Sequence, residues 1–106
     1  MKDILHSLEK VIDQRRLADP ETSYAARLFA RGLPTIARKL GEEAVEAVVA
    51  ALAQDDAALV GESADLLFHL LVLLAERGIA LDTVLGELER REGVSGIAEK
   101  AARRPE

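Results

Sequence analysis

Acidic side chains at helical spacing are the part of this chain best equipped for chemistry. Glu43 and Glu46 stand three apart, as do Glu62 and Asp65, on either side of a polar break at Gln54-Asp55-Asp56. Residues three apart share one face of a helix, so each pair points one way. Glu46 and Glu62 are equidistant from Gln54, and so are Glu43 and Asp65. An antiparallel hairpin folded at the break therefore brings the four carboxylates to one height, which is a cation site in outline.

A solvated acidic face is the plain alternative, and the pattern argues against it. Like charges at this spacing cost a helix about 0.2–0.5 kcal/mol per pair. Glu62 and Asp65 have no Lys or Arg three or four residues away to offset them. Their stripe continues through His69, Val72 and Leu73 into a segment, Leu66 to Ala75, in which only His69 is not apolar. The face carrying the acids is thus expected to turn into the protein. Buried carboxylates must be protonated, paired or metal-bound. Lys39 can pair with one, and Arg38 reaches Glu42 at i+4, but the acids outnumber the nearby bases. Oxygen-only donors suit Mg²⁺, or Mn²⁺ in its place, whereas zinc wants nitrogen or sulfur that only His69 could supply. His69, four residues after Asp65, is read as a hydrogen-bond partner of a ligating carboxylate or as a proton acceptor. A core histidine satisfied by its neighbour is the simpler reading. His6 is expected at the surface, and Tyr24 and Phe29 in core packing rather than in a base-stacking platform.

The elements that would position these groups are all helical. Asp3 can cap a first helix with Ile4, Leu5, Leu8, Val11 and Ile12 at helical spacing, stopped by Asp19-Pro20. Thr22 or Ser23 can cap a short helix over Tyr24 to Arg31, closed by Gly32. Pro34 suits the first turn of a third helix, about Thr35 to Ala53, because it has no amide hydrogen to leave unpaired there. Val45, Val48 and Leu52 read as that helix's apolar ridge, with Lys39, Glu43, Glu46 and Ala50 opposite. Gly41 inside it permits a close helix approach or a ligand, or has no structural reason. A fourth helix, about Asp56 to Arg77, is apolar all round near its end and should be buried on every side. A chain of 106 residues can hardly enclose it, so part is expected in a subunit interface. After Gly78, Leu81-Asp82 offers a cap and staple for a last helix to about Arg91. The fold expected is an all-α bundle of four to five helices, built on the antiparallel hairpin and completed by dimerisation.

Composition narrows the functional classes. The chain is a single domain in length, rich in Ala, Leu, Glu and Arg, with a net charge of −5 and no cysteine. Thiolate metal sites and disulfides are thereby excluded. A nucleic-acid binder would carry a basic stripe; here the bases fall in two small groups, Arg27, Arg31, Arg38 and Lys39, then Lys100, Arg103 and Arg104. Such groups suit a small, multiply charged anion beside a cation. Charge at Lys2 and Asp3 comes too early for a secretory signal, and no apolar run is read as membrane-spanning. A soluble, cytoplasmic protein is the expectation.

Glu43-x-x-Glu46 followed by Glu62-x-x-Asp65 in consecutive helices resembles the signature of the all-α (MazG-like) nucleoside triphosphate pyrophosphohydrolases. Within that superfamily the chain looks most like the phosphoribosyl-ATP pyrophosphatase family. The resemblance rests on Ser23-Tyr-Ala-Ala-Arg-Leu-Phe-Ala-Arg-Gly32, Lys39-Leu-Gly-Glu-Glu-Ala-Val-Glu46, Ala64-Asp-Leu-Leu-Phe-His-Leu-Leu-Val-Leu-Leu74 and Ser95-Gly-Ile-Ala-Glu-Lys100. Phe68 departs from it, standing where the family often has tyrosine. With no cyclohydrolase domain in the sequence, the resemblance implies the stand-alone form. It implies Mg²⁺-dependent hydrolysis of phosphoribosyl-ATP to phosphoribosyl-AMP and pyrophosphate, the second step of histidine biosynthesis. Glu43, Glu46, Glu62 and Asp65 would hold the metal, and Glu42 or a spare carboxylate would take a proton from water. Lys39 is a candidate phosphate contact, followed by Arg27, Arg31 and Lys100. Two competitors are a house-cleaning pyrophosphohydrolase for free (deoxy)nucleotides and, in another class, a non-catalytic helical interaction module.

Overall fold

Local signals in the sequence set most helix starts. The Asp3 carboxylate accepts from the His6 amide and opens α1, Ile4–Gln14. Ser23 Oγ accepts from the Ala26 amide and opens α2, Tyr24–Arg31. Gly32, at φ 89°, ends α2 and lets α3, Leu33–Ala53, begin at once with Pro34 in its first turn. Asp55 caps α4, Asp56–Glu76, through the Ala58 amide. Gly78, at φ 70°, turns the chain toward α5, Leu81–Arg91. Side chains bearing a Cβ are disfavoured at such positive φ, which is why glycine stands at both turns. This computed structural model describes residues 3–92 and 100–103, and among them every regular element is helical, with one further helical turn at residues 100–102. The Ser95-Gly-Ile segment lies outside the described residues.

Two boundaries differ from expectation. The first helix ends at Gln14, before Asp19-Pro20, in a turn whose Asp19 side chain accepts from the Glu21 amide. The last helix has no side-chain cap of its own. Its first amide, on Leu81, donates instead to Glu9 Oε2 of α1 at 2.8 Å. The cap comes from a residue distant in sequence, so no local pattern announces it.

The hairpin of α3 and α4 is the backbone of the architecture. Ile12, Leu28, Ile36, Leu71, Val72 and Leu81 form the buried core, with Phe29, Phe68, Leu5 and Leu8 packed around it. All of these lie on α1, α2, α5, the start of α3 or the second half of α4. Helices of 21 residues are about 31 Å long, whereas those of 11 and 8 residues span about 16 and 12 Å. The short helices therefore cover one half of the hairpin and leave its tip projecting.

That geometry overturns the expected direction of the α3 ridge. Val45, Val48 and Leu52 are 62%, 58% and 84% exposed, while Ala50, on the opposite face, is buried against α4. Small residues on the inner face let the helices pack, and the valines face outward. Within the single chain α4 is enclosed at His69, Leu71 and Val72 and exposed at Val60 and Leu67, so, as expected, the chain does not enclose it fully. By length and composition α4 is also apolar enough to cross a membrane, contrary to the reading of its sequence. Its polar stripe, Glu62, Asp65 and His69, faces the carboxylates of α3 or the buried interior. A Cβ placed at Gly41 would meet nothing within 4 Å, so no close approach in this chain accounts for that glycine.

Candidate active site

The hairpin brings the two acidic pairs together. One oxygen each from Glu43, Glu62 and Asp65 lie within 4.8 Å of one another. Glu46 is not one of these three, but its carboxylate lies near enough to raise the carboxyls of both Glu43 and Glu62. Equal spacing about Gln54 thus becomes equal height on two antiparallel helices. Glu43 and Glu62 are half-buried, whereas Glu46 and Asp65 are exposed. The acidic face therefore enters the protein only in part, because the short helices stop short of it and leave one side open.

Electrostatics mark this cluster as incomplete. Glu43 Oε2 and Glu62 Oε2 are buried, and among the described residues neither has a hydrogen-bond partner. Their close neighbours are other carboxylate oxygens, which accept but cannot donate when ionised. Burial, then the adjoining Glu46 carboxylate, pushes the Glu43 carboxyl above its ordinary range. The same causes in the same order raise Glu62, with Glu43 and Asp65 adding further repulsion. Buried acceptors without donors cost free energy unless a proton or a cation reaches them. A set of oxygen-only donors open to water on one side fits a hard divalent cation.

Glu42 is held differently. Its two oxygens face Arg38 Nη1 at 3.4 Å and Lys39 Nζ at 3.5 Å, so it anchors bases rather than joining the cluster. His69 is buried, and its Nδ1 lies 2.7 Å from the backbone carbonyl oxygen of Asp65. A carbonyl only accepts, so Nδ1 carries the hydrogen and Nε2 accepts from the Tyr24 hydroxyl at 2.9 Å. His69 therefore bonds the main chain of Asp65, not its carboxylate. Both ring nitrogens are engaged, as the core-histidine reading expected. An i−4 carbonyl lies within reach along the helix, whereas the Asp65 carboxylate turns toward Glu43 and Glu62.

Beside the acids lies a cleft of about 360 Å³ lined by Tyr24, Arg27, Leu28, Arg31, Thr35, Arg38 and Lys39. Arg27, Arg31 and Lys39, singled out from the sequence, meet here; Lys100 is exposed and is not among the lining residues. Tyr24, Thr35 and Arg38 were missed as site residues. Tyr24 is 45% exposed, stacks on Phe68 with ring centroids 5.9 Å apart, and bridges the cleft to His69. Phe29 does pack on the core, under the Arg16 guanidinium. The signal for the cleft was present: Tyr24, Arg27, Leu28 and Arg31 recur at i, i+3, i+4 and i+7. Half of that stripe is polar, so apolar periodicity alone does not pick it out.

Comparison with known proteins is consistent along the chain. The profile of the phosphoribosyl-ATP pyrophosphohydrolase family matches residues 5–92. A phosphoribosyl-ATP pyrophosphatase of Rhizorhabdus wittichii is 63% identical over 97% of each chain. One of Erythrobacter litoralis is 63% identical over 93% of this chain and 95% of its own. A third, of Rhodobacter capsulatus, is 57% identical over 93% of this chain and 96% of its own.

Proposed function

Because the chain belongs to the phosphoribosyl-ATP pyrophosphohydrolase family, we propose that it hydrolyses phosphoribosyl-ATP to phosphoribosyl-AMP and pyrophosphate, the second step of histidine biosynthesis. The observation that carries this is the juxtaposition of donor-less carboxylate oxygens with a cleft lined by four cationic side chains. A substrate carrying several phosphates, together with its divalent cation, matches both halves at once.

In this reading Glu43, Glu46, Glu62 and Asp65 hold Mg²⁺, with Mn²⁺ able to substitute. An ion held by these residues would supply neutralisation of phosphate charge and a more nucleophilic water. Water adds across the α–β phosphoanhydride, which breaks, and Glu42 or a cluster oxygen that the ion leaves uncoordinated accepts the proton. Lys39 and Arg38, held by Glu42, balance negative charge on the phosphates nearest the cluster. His69 and Tyr24 fix the cleft relative to the acids through their hydrogen bond.

The enzyme is proposed to act in the cytoplasm as a homo-oligomer, at least a dimer. The support is the bare tip of the hairpin, where Val45, Val48, Val49, Leu52 and Val60 are exposed. Val45, Val48, Val49 and Leu52, at i, i+3, i+4 and i+7, share one exposed face of α3, and an unpartnered apolar face supports an interface there.

Pyrophosphate release measured on phosphoribosyl-ATP and on a panel of ribo- and deoxynucleoside triphosphates tests the proposal. Fastest turnover is expected on phosphoribosyl-ATP; faster turnover of a free deoxynucleotide would assign the chain a house-cleaning role instead. Glu46→Gln and Asp65→Asn are each expected to lower turnover by about 10²-fold or more, with helical content retained. Titration calorimetry showing no Mg²⁺ heat would favour the non-catalytic interaction module.

A further inference from the structure

We infer that the arginines of α2, Arg27 and Arg31, bind the phosphate on the second ribose of the substrate and so distinguish phosphoribosyl-ATP from ATP. The inference rests on the proposed function and adds to it the group that reads the phosphoribosyl end.

The cleft has two ends. Tyr24, tied to His69, and Lys39, one helical turn before Glu43, lie at the end next to the carboxylates. Because α2 and α3 are joined at Gly32, Arg31 and Thr35 lie at the other end. From Thr35 to Glu43 is eight residues of α3, a rise of about 12 Å. A triphosphate engaged at the acidic cluster is too short to fill that far end as well. A phosphate carried beyond the adenine and a second ribose reaches it.

Charge points the same way. Arg38 and Lys39 are already matched by Glu42, but no acidic residue lines the cleft. Arg31 has no ion-pair or hydrogen-bond partner among the described residues. Arg27 also lines the cleft, its Nε donating to the Pro20 carbonyl oxygen at 3.2 Å, which leaves its terminal N–H groups available. Arginines at i and i+4 repel on a helix, and an anion between them reverses that cost. A guanidinium matches phosphate with paired N–H donors, and the Thr35 hydroxyl adds a further donor.

The test compares kcat/KM for phosphoribosyl-ATP and for ATP in wild type and Arg31→Gln. Wild type is expected to favour phosphoribosyl-ATP. In Arg31→Gln, kcat/KM for phosphoribosyl-ATP should fall at least tenfold, carried by KM, and selectivity over ATP should fall by the same factor. Arg31→Lys should recover part of it. Equal losses on both substrates, or no loss on phosphoribosyl-ATP, overturn the inference while leaving the proposed function standing. A wild-type enzyme that prefers ATP overturns both. Should Arg31→Gln fail to fold, Arg27→Gln gives the same comparison.

Discussion

The Glu43 and Glu62 carboxylates each oppose the folding of the chain on their own. In Glu43 and Glu62, burial and neighbouring acids raise the folded pKa above the unfolded value of 4.5. The folded state then binds more protons than the unfolded one between those values. The penalty is fully present above the raised values and disappears as pH falls through them toward 4.5. In a chelator at neutral pH, Glu43→Gln is therefore expected to melt higher than wild type. The gap should close on acidification. Added Mg²⁺ should raise the wild-type melting temperature and leave that of the variant nearly unchanged. A lower melting temperature for Glu43→Gln in chelator would show that the carboxylate is satisfied within the chain.

At the scale of elements, α5 depends on polar contacts with α1. Leu81 is its one buried residue, and Glu9 caps its first amide. His6 reaches the same helix, joining Asp3 to Asp82, with Nε2 and Asp82 Oδ1 2.6 Å apart. Glu9→Ala should lower stability by about 1 kcal/mol, the usual cost of losing a helix cap, as read by urea unfolding. An unchanged midpoint would mean that Leu81 packing and the His6–Asp82 contact hold α5 without the cap. The hydrogen bond to Asp82, then that to Asp3, raises the His6 pKa. Its contribution is complete below the unfolded value of 6.5 and is lost as pH rises through the folded one. Within α5 itself, Glu87 is held at about 2 by Arg90 and Arg91, an exposed local pairing that adds little to docking.

For the whole molecule, the decisive feature is a long hairpin covered over half its length. Leu52, 84% exposed, stands near the tip among Val45, Val48 and Val49. Leu52→Glu places a charge in the proposed interface, where desolvation without a partner is costly. Sedimentation at micromolar concentration should show a dimer or larger for wild type. The variant should shift toward monomer by about tenfold or more in dissociation constant, with its helical content intact. A monomeric wild type would remove the argument from the bare tip, while leaving the chemistry of the acidic cluster to be judged by its own tests.

The sequence by itself determined the helices and the acidic site. Asp3, Ser23, Asp55, Gly32 and Gly78 act on their immediate neighbours, so their caps and turns are visible in the linear pattern. The symmetry of Glu43, Glu46, Glu62 and Asp65 about Gln54 also needs only helical geometry to become a cluster. Tertiary structure decided what depends on which face finds a partner. Val45, Val48 and Leu52 have the spacing of a core ridge, but they lie outward because α1 and α2 are too short to reach them. Glu9 as the cap of α5, and Tyr24 as the link between His69 and the basic cleft, join residues 72 and 45 positions apart. Periodicity reports that a face is apolar or charged; only the lengths and packing of the other helices say what covers it.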